Sequence, residues 1–131
     1  MSEQALKLIR ENKKTKSKKL DLGRCGLTTL DEIAEELFSC VWLEELILSN
    51  ERWDWEKIEW ISSSNKGNKN YLSNLSISIS RLQNLKKLKA GGDYDVKWSI
   101  SDISVLERLT GLRSLDLSYN TISDISYLER L

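Results

Sequence analysis

The chain carries two thiols, Cys25 and Cys40, and no histidine. Ser–His and Cys–His catalysis and histidine-ligated metal are therefore excluded, and two cysteines alone do not complete the usual closed zinc site. The stretch Asn65-Lys66-Gly67-Asn68-Lys69 lacks the GxxxxGK[ST] spacing whose backbone N–H groups cradle phosphates. No carboxylate pair or nucleophile–base pair has supporting spacing either, so the sequence predicts no enzyme, no cofactor and no metal. The chemistry left to these residues is that of contact.

The aromatic residues are distributed unevenly. Trp53, Trp55 and Trp60 fall close together, Tyr71 follows, and Tyr94 and Trp98 form a second group. Trp and Tyr are enriched in interface hot spots, and long loops on a rigid scaffold tend to carry function, so these six are candidate partner-binding residues. The same rings could equally form a satellite core that pins the loops down. Between the groups, the polar segment from Ser62 to Asn70 is expected to be a mobile tip.

The elements that position these loops follow from an internal repeat. Leu112-Arg113-Ser114-Leu115-Asp116-Leu117-Ser118-Tyr119-Asn120-Thr121-Ile122 reads LxxLxLxxNxI, the leucine-rich-repeat pattern. Leu85-Lys86-Lys87-Leu88-Lys89-Ala90 and Leu43-Glu44-Glu45-Leu46-Ile47-Leu48 share its opening. Ser17-Lys18-Lys19-Leu20-Asp21-Leu22-Gly23-Arg24-Cys25-Gly26-Leu27 is a degenerate first copy with Cys25 at the Asn position, position 9. The four starts are 26, 42 and 27 residues apart, against ~20–29 for one such repeat. The second copy therefore carries an insertion. Glu51 and Asp93 stand where copies two and three should have Asn, and Ala90 stands where Leu is expected.

The predicted fold is thus α/β, a single domain over 1–131: a short solenoid of about four repeats whose parallel strands line a concave face. Insertions are expected over 54–71 and 91–99, meeting at one edge. Residues 1–16 are expected to form an N-terminal capping helix and connector, with Ser2 as its cap and Ala5, Leu6 and Ile9 on one face. Asp31–Cys40 has the apolar spacing of a convex-side helix, whereas the near-duplicates Ile100–Leu109 and Ile122–Leu131 step by three, which suits short 3₁₀ turns. The chain stops just short of another strand, and an open last repeat could pair with a second copy.

Repeat positions 2, 3 and 5 face outward. They place Lys18, Lys19 and Asp21, then Glu44, Glu45 and Ile47, then Lys86, Lys87 and Lys89, then Arg113, Ser114 and Asp116 on neighbouring strands. Lys18-Glu44-Lys86 and Lys19-Glu45-Lys87 become cross-strand ladders of alternating sign. Those charges either pair among themselves or form a docking face with a basic end at Lys86, Lys87, Lys89 and Arg113. Cys25, in the turn, is expected to be structural, although Arg24 beside it keeps a reactive thiol in view. The basic run Lys13, Lys14, Lys16, Lys18 and Lys19 reads as a solvated connector, and without a stacking aromatic it is a poor single-strand nucleic-acid site.

Composition bounds the partners. Twenty Lys+Arg balance twenty Asp+Glu, which leaves no overall field for nucleic acid or an anionic membrane. At 40% hydrophobic and 31% charged, with no run of ~18 apolar residues, the chain is expected to be a folded cytoplasmic protein. Its charged start has no secretory apolar stretch, and the two cysteines are expected to be reduced.

The stretch Leu6–Lys14 running into Leu20–Leu27, then Trp42-Leu43-Glu44-Glu45-Leu46, Gly91-Gly92 and Ile100-Ser101-Asp102-Ile103 resembles the N-terminal leucine-rich repeats of bacterial Roco-type proteins. In that family such repeats precede a Ras-like GTPase domain and a dimerising module. The resemblance implies protein recognition, as the sensor or scaffold section of a larger bacterial signalling protein. GTP binding is not carried over, since the phosphate loop is missing. The alternative is a free-standing adaptor that forms a homodimer through its C-terminal edge.

Overall fold

A computed structural model describes residues 3–54 and 56–122 of the chain. The first element is a helix, α1 (Glu3–Thr15), which buries Ala5, Ile9 and Asn12 at helical spacing, with Glu3 in its first turn and Lys13 and Lys14 in its last, as the helix dipole favours. It ends where Lys16 turns left-handed (φ 56°) and its N–H bonds the Asn12 carbonyl at 2.7 Å.

Four short strands, β1 (Lys19–Asp21), β2 (Glu45–Ile47), β5 (Lys87–Lys89) and β6 (Ser114–Asp116), form one parallel sheet in the order β1-β2-β5-β6. A separate antiparallel hairpin, β3 (Glu51–Asp54) and β4 (Glu59–Ser62), lies between β2 and β5 in sequence. In the parallel sheet Leu20, Leu46, Leu88 and Leu115 pair in one row. The strands enter alike: the Lys18 carbonyl accepts from the Glu44 and Glu45 N–H groups, the Glu44 carbonyl from Lys86 and Lys87, and the Lys86 carbonyl from Arg113 and Ser114.

The return segments use the steps of three. Over 31–40 the expected helix shrinks to a 3₁₀ turn (Asp31–Ile33) and one turn of helix, α2 (Ala34–Leu37). The later returns are 3₁₀ turns at Ile77–Arg81 and Ser104–Arg108. In both, apolar residues bond at that step: Leu82 to Ile79 and Leu85 to Leu82, then Leu106 to Ile103, Leu109 to Leu106 and Leu112 to Leu109. The side chains at those positions are buried in one continuous core with the strand leucines, Leu27, Leu72 and Ile100. The expected turns and apolar residues beyond Ile122 lie outside the described residues, as do Ser2 and Trp55.

A polar column, buried at Asn70 and Trp98 and half-buried at Asn120, holds the turns that leave the strands. Asn120, at position 9, donates to the carbonyls of Ala90 and Leu117 at 3.0 Å and accepts from the Ile100 N–H at 3.0 Å. Asn70 makes the same kind of contact two coils earlier. It donates to Leu22 and Leu48 at 2.9 and 2.8 Å and accepts from Cys25 and Leu27 at 3.1 and 2.7 Å. Leu22, Leu48, Ala90 and Leu117 all occupy position 6, so Asn70 and Asn120 are equivalents. Between them Trp98, 2% exposed, sends its indole N–H to the Asn70 carbonyl at 2.9 Å. A backbone rung runs alongside, from Tyr71 N–H to Leu27, Ser99 N–H to Leu72 and Thr121 N–H to Ile100.

Two further columns show how tightly the coils approach. Position 7 reads Gly23, Ser49, Gly91, Ser118. A Cβ on Gly23 would stand 2.3 Å from the Ser49 carbonyl oxygen, and one on Gly91 would stand 2.8 Å from that of Ser118. The next residue is left-handed in the first and last copies, at Arg24 (φ 50°) and Tyr119 (φ 56°).

Candidate functional site

The outward face of the sheet carries the first candidate surface. Glu44 is held by Lys18 at 3.2 Å on one side and Lys86 at 3.3 Å on the other. Hydrogen bonds from these two lysines keep its carboxyl below the ordinary range. The ladder expected at position 2 is thus paired within the chain. At position 3, Lys19, Glu45 and Lys87 stand side by side in register, followed by Ser114, and no ion pair joins them among the described residues. Lys89 and Asp116 are register neighbours at position 5, and Arg113 continues the basic end beyond Lys86.

At the other end of position 5 the face is covered. Ile47, expected to face outward, is fully buried and stands apart from the main apolar cluster. Its register neighbour Asp21 shows why: Arg52 of β3 reaches Asp21 at 3.7 Å and Ser63 donates to the same carboxylate at 3.1 Å. The hairpin therefore folds back across this part of the sheet.

The polar stretch expected to be a mobile tip is instead an anchor. Ser63 and Asn70 are buried. Asn65 donates to the carbonyls of Asp21 and Gly23 at 3.0 and 2.8 Å, and Asn50 bonds Asn70 through both its amide atoms. Residues 70, 71, 98 and 99, assigned by the sequence to the insertions, belong to the column and its backbone rung.

The aromatic candidates divide accordingly. Trp98 is a correction: buried, with its N–H engaged, it is closed to a partner. A Trp eight residues from Ala90, at the approach to Ile100, carries no mark in sequence of standing in the Asn position. Trp53 and Trp60 face each other across the hairpin register with ring centres 5.7 Å apart and planes at 73°, an edge-to-face pair. Trp53 is half-buried, whereas Trp60 is exposed at 48%. Tyr71 is exposed with its hydroxyl 3.4 Å from Ser99, and Tyr94 is the most open ring among the described residues at 80%. The hairpin's own turn is held by Asp54, whose carboxylate accepts from the N–H groups of Glu56 and Lys57, which lowers its pKa.

The two excursions meet, as their placement after neighbouring strands implies. Lys69 reaches the buried Asp93 at 3.3 Å. Above that contact Glu51, Trp60, Asp93, Tyr94 and Tyr119 line a cleft of about 260 Å³. Glu51, Asp93 and Tyr119 are the members that the sequence did not single out as contact residues.

Neither thiol is poised for reaction. Cys25 is 4% exposed, its Sγ donates to the Gly23 carbonyl at 3.5 Å, and burial, with Asp21 nearby, pushes its pKa to about 11. Cys40 is buried and its pKa is likewise raised by burial. The basic run is partly absorbed: Lys13 bonds Glu36 at 2.6 Å, Lys16 sits 4.0 Å above the Trp42 ring, and Lys18 holds Glu44. Trp42 in turn donates to the buried Asn12 at 2.7 Å. Among the described residues no three His, Cys, Asp or Glu side chains converge as a metal site would need, and no helix is long and apolar enough to cross a membrane.

No protein-family model matches the chain, and no curated protein sequence matches it. Similar solved structures include a leucine-rich-repeat protein of Leptospira interrogans, at 18% identity over 91% of this chain and 34% of that one, with a TM-score of 0.36. Internalin C2 of Listeria monocytogenes is 22% identical over 87% of this chain and 57% of its own, with a TM-score of 0.33. The chain thus spans about a third and somewhat over half of those proteins. The repeat geometry stands on the chain's own hydrogen bonds: a parallel four-stranded sheet with a polar column along its turns fits an α/β leucine-rich-repeat fold.

Proposed function

We propose that the chain is a protein-recognition module, a solenoid of four repeats with α1 covering its first coil. Its two excursions run over 51–69 and 93–97; the first is shifted towards the N-terminus from the 54–71 read from sequence, and the second is narrower than 91–99. Removing 51–69 leaves Leu43-x-x-Leu46-x-Leu48-Ser49-Asn50-Asn70-Tyr71-Leu72, an uninterrupted LxxLxLxxNxL. The binding surface on this reading joins the basic end of the sheet, Lys86, Lys87, Lys89 and Arg113, to the rings at the hairpin edge. In a longer polypeptide the same surface would serve as its sensor or scaffold section.

The observation that carries the reading is the exposure of Trp60, Tyr94 and Tyr119 along one edge of a scaffold whose polar column is hydrogen-bonded at Asn70, Trp98 and Asn120. Large rings left open on a rigid support are the usual anchors of interfaces. Affinity capture with the chain as bait tests it. A specific partner should be retained by the wild type and by Ile77→Ser on the return side, and lost with Trp60→Ala and with the Lys86→Glu, Lys87→Glu pair. A partner that ignores both edge variants and is lost with Ile77→Ser would place recognition on the opposite face.

A further inference from the structure

The cleft at the hairpin edge has a composition that selects its occupant. Three of its five lining residues are aromatic, Trp60, Tyr94 and Tyr119, and the other two, Glu51 and Asp93, are carboxylates. An anion would be repelled by both groups, and a purely apolar ligand would not need the carboxylates. A cation is attracted by both, through the negative faces of the rings and through direct charge.

The charges around the cleft leave one acid in excess. Asp93 is 4% exposed and fully engaged, by Lys69 at 3.3 Å and by the N–H groups of Asp95 and Val96 at 2.9 and 2.8 Å. Lys69 therefore answers Asp93. Asp95 and Lys97 in the same excursion offset each other in sign. Glu51 has no ion-pair partner among the described residues. The walls are also set in advance. Trp60 is braced edge-to-face by Trp53, and the Tyr119 carbonyl is held by the Trp98 N–H at 2.7 Å, which keeps that left-handed residue in place.

Size decides between a free ligand and a side chain. At about 260 Å³ the cleft falls short of the ~300–1,000 Å³ typical of small-molecule sites, and it is open rather than enclosed. It has room for the end of one long side chain. We propose that this cleft is a cation pocket that takes a Lys or Arg side chain from a protein partner, an inference that rests on the recognition reading above.

Proton–nitrogen correlation NMR of the Trp60 indole, assigned through Trp60→Phe, tests the pocket with four probes: N-acetyl-arginine amide, N-acetyl-lysine amide, the neutral N-acetyl-norleucine amide and choline. The arginine or lysine amide should shift the indole saturably, norleucine amide should not, and Glu51→Gln and Tyr94→Ala should each weaken binding about threefold or more. Tyr94 is 80% exposed, so its removal leaves the packing intact. Equal shifts from norleucine amide would make the cleft merely apolar and overturn the proposal. Shifts from choline alone would overturn it in favour of a small quaternary ammonium ligand. No shift from any probe would overturn it outright. If partner capture depends on Trp60 while neither basic amide binds, the recognition reading stands and the cation pocket falls. Binding of the amides without Trp60-dependent capture would overturn the protein source.

Discussion

Asn70 and Trp60 lie ten residues apart in the long second copy and behave as opposites. Asn70 is fully buried and uses every hydrogen-bonding site of its amide on backbone groups of two coils. Trp60 is 48% exposed and is braced edge-to-face by Trp53. The contrast teaches that the long second copy is not a loosened repeat but two structures in series: a hairpin that leaves the solenoid, and a stretch that re-enters it and resumes the column. The first is free to vary, because little of the scaffold depends on it. The second is not.

Asn70→Ala is the strongest way to break that contrast. It orphans four buried backbone groups, at about 1–3 kcal/mol each, and should remove at least about 4 kcal/mol from a marginal stability. Urea unfolding reads the loss; a change under about 1 kcal/mol would show that Asn70 does not close the column. A smaller effect is expected from alkali at Cys25. Its pKa is raised from 9.0 to about 11 in the fold, so the neutral thiol is favoured and its stabilisation is fully present below pH ~9 and lost as pH rises towards 11. Stability should therefore fall over that window by on the order of 1–2 kcal/mol, and the fall should flatten in Cys25→Ser. The smallest effect on the scaffold should come from the largest alteration. Replacing residues 52–61 with a short Gly-Ser linker, which keeps the Ser63–Asn70 anchor, should leave a cooperatively melting fold while abolishing capture of a Trp60-dependent partner. A molten product would mean that the hairpin supports the sheet it covers.

The leucine ladder was readable because a strand and its burial impose a strict pattern: Leu20, Leu46, Leu88 and Leu115 pair as their spacing requires. The charge ladder at Lys18, Glu44 and Lys86 followed from the same register. The column was not readable past Cys25 and Asn120. Position 9 is defined by which carbonyls a side chain can reach, and distance along the chain stops measuring that once an excursion intervenes; Asn70 looked like one more polar residue of a loop. Trp98 was hidden for a different reason, since an indole N–H can do the work of an amide N–H and nothing in its neighbours announces it. The buried state of Ile47 depended on where the hairpin folds, which its own sequence did not state.

The pair of asparagines at the base of the hairpin has a practical consequence. Asn50 and Asn70 bind each other through side-chain and backbone atoms, so the chain leaves and re-enters the solenoid at a closed gate. With the ends already fastened, the entropy of the segment between them grows only slowly with its length, about 0.6 kcal/mol for each doubling. Such a gate is a socket for interchangeable cassettes: hairpins of other lengths and compositions could be seated there ahead of the Ser63–Asn70 anchor, changing what the molecule grips without renegotiating how it folds.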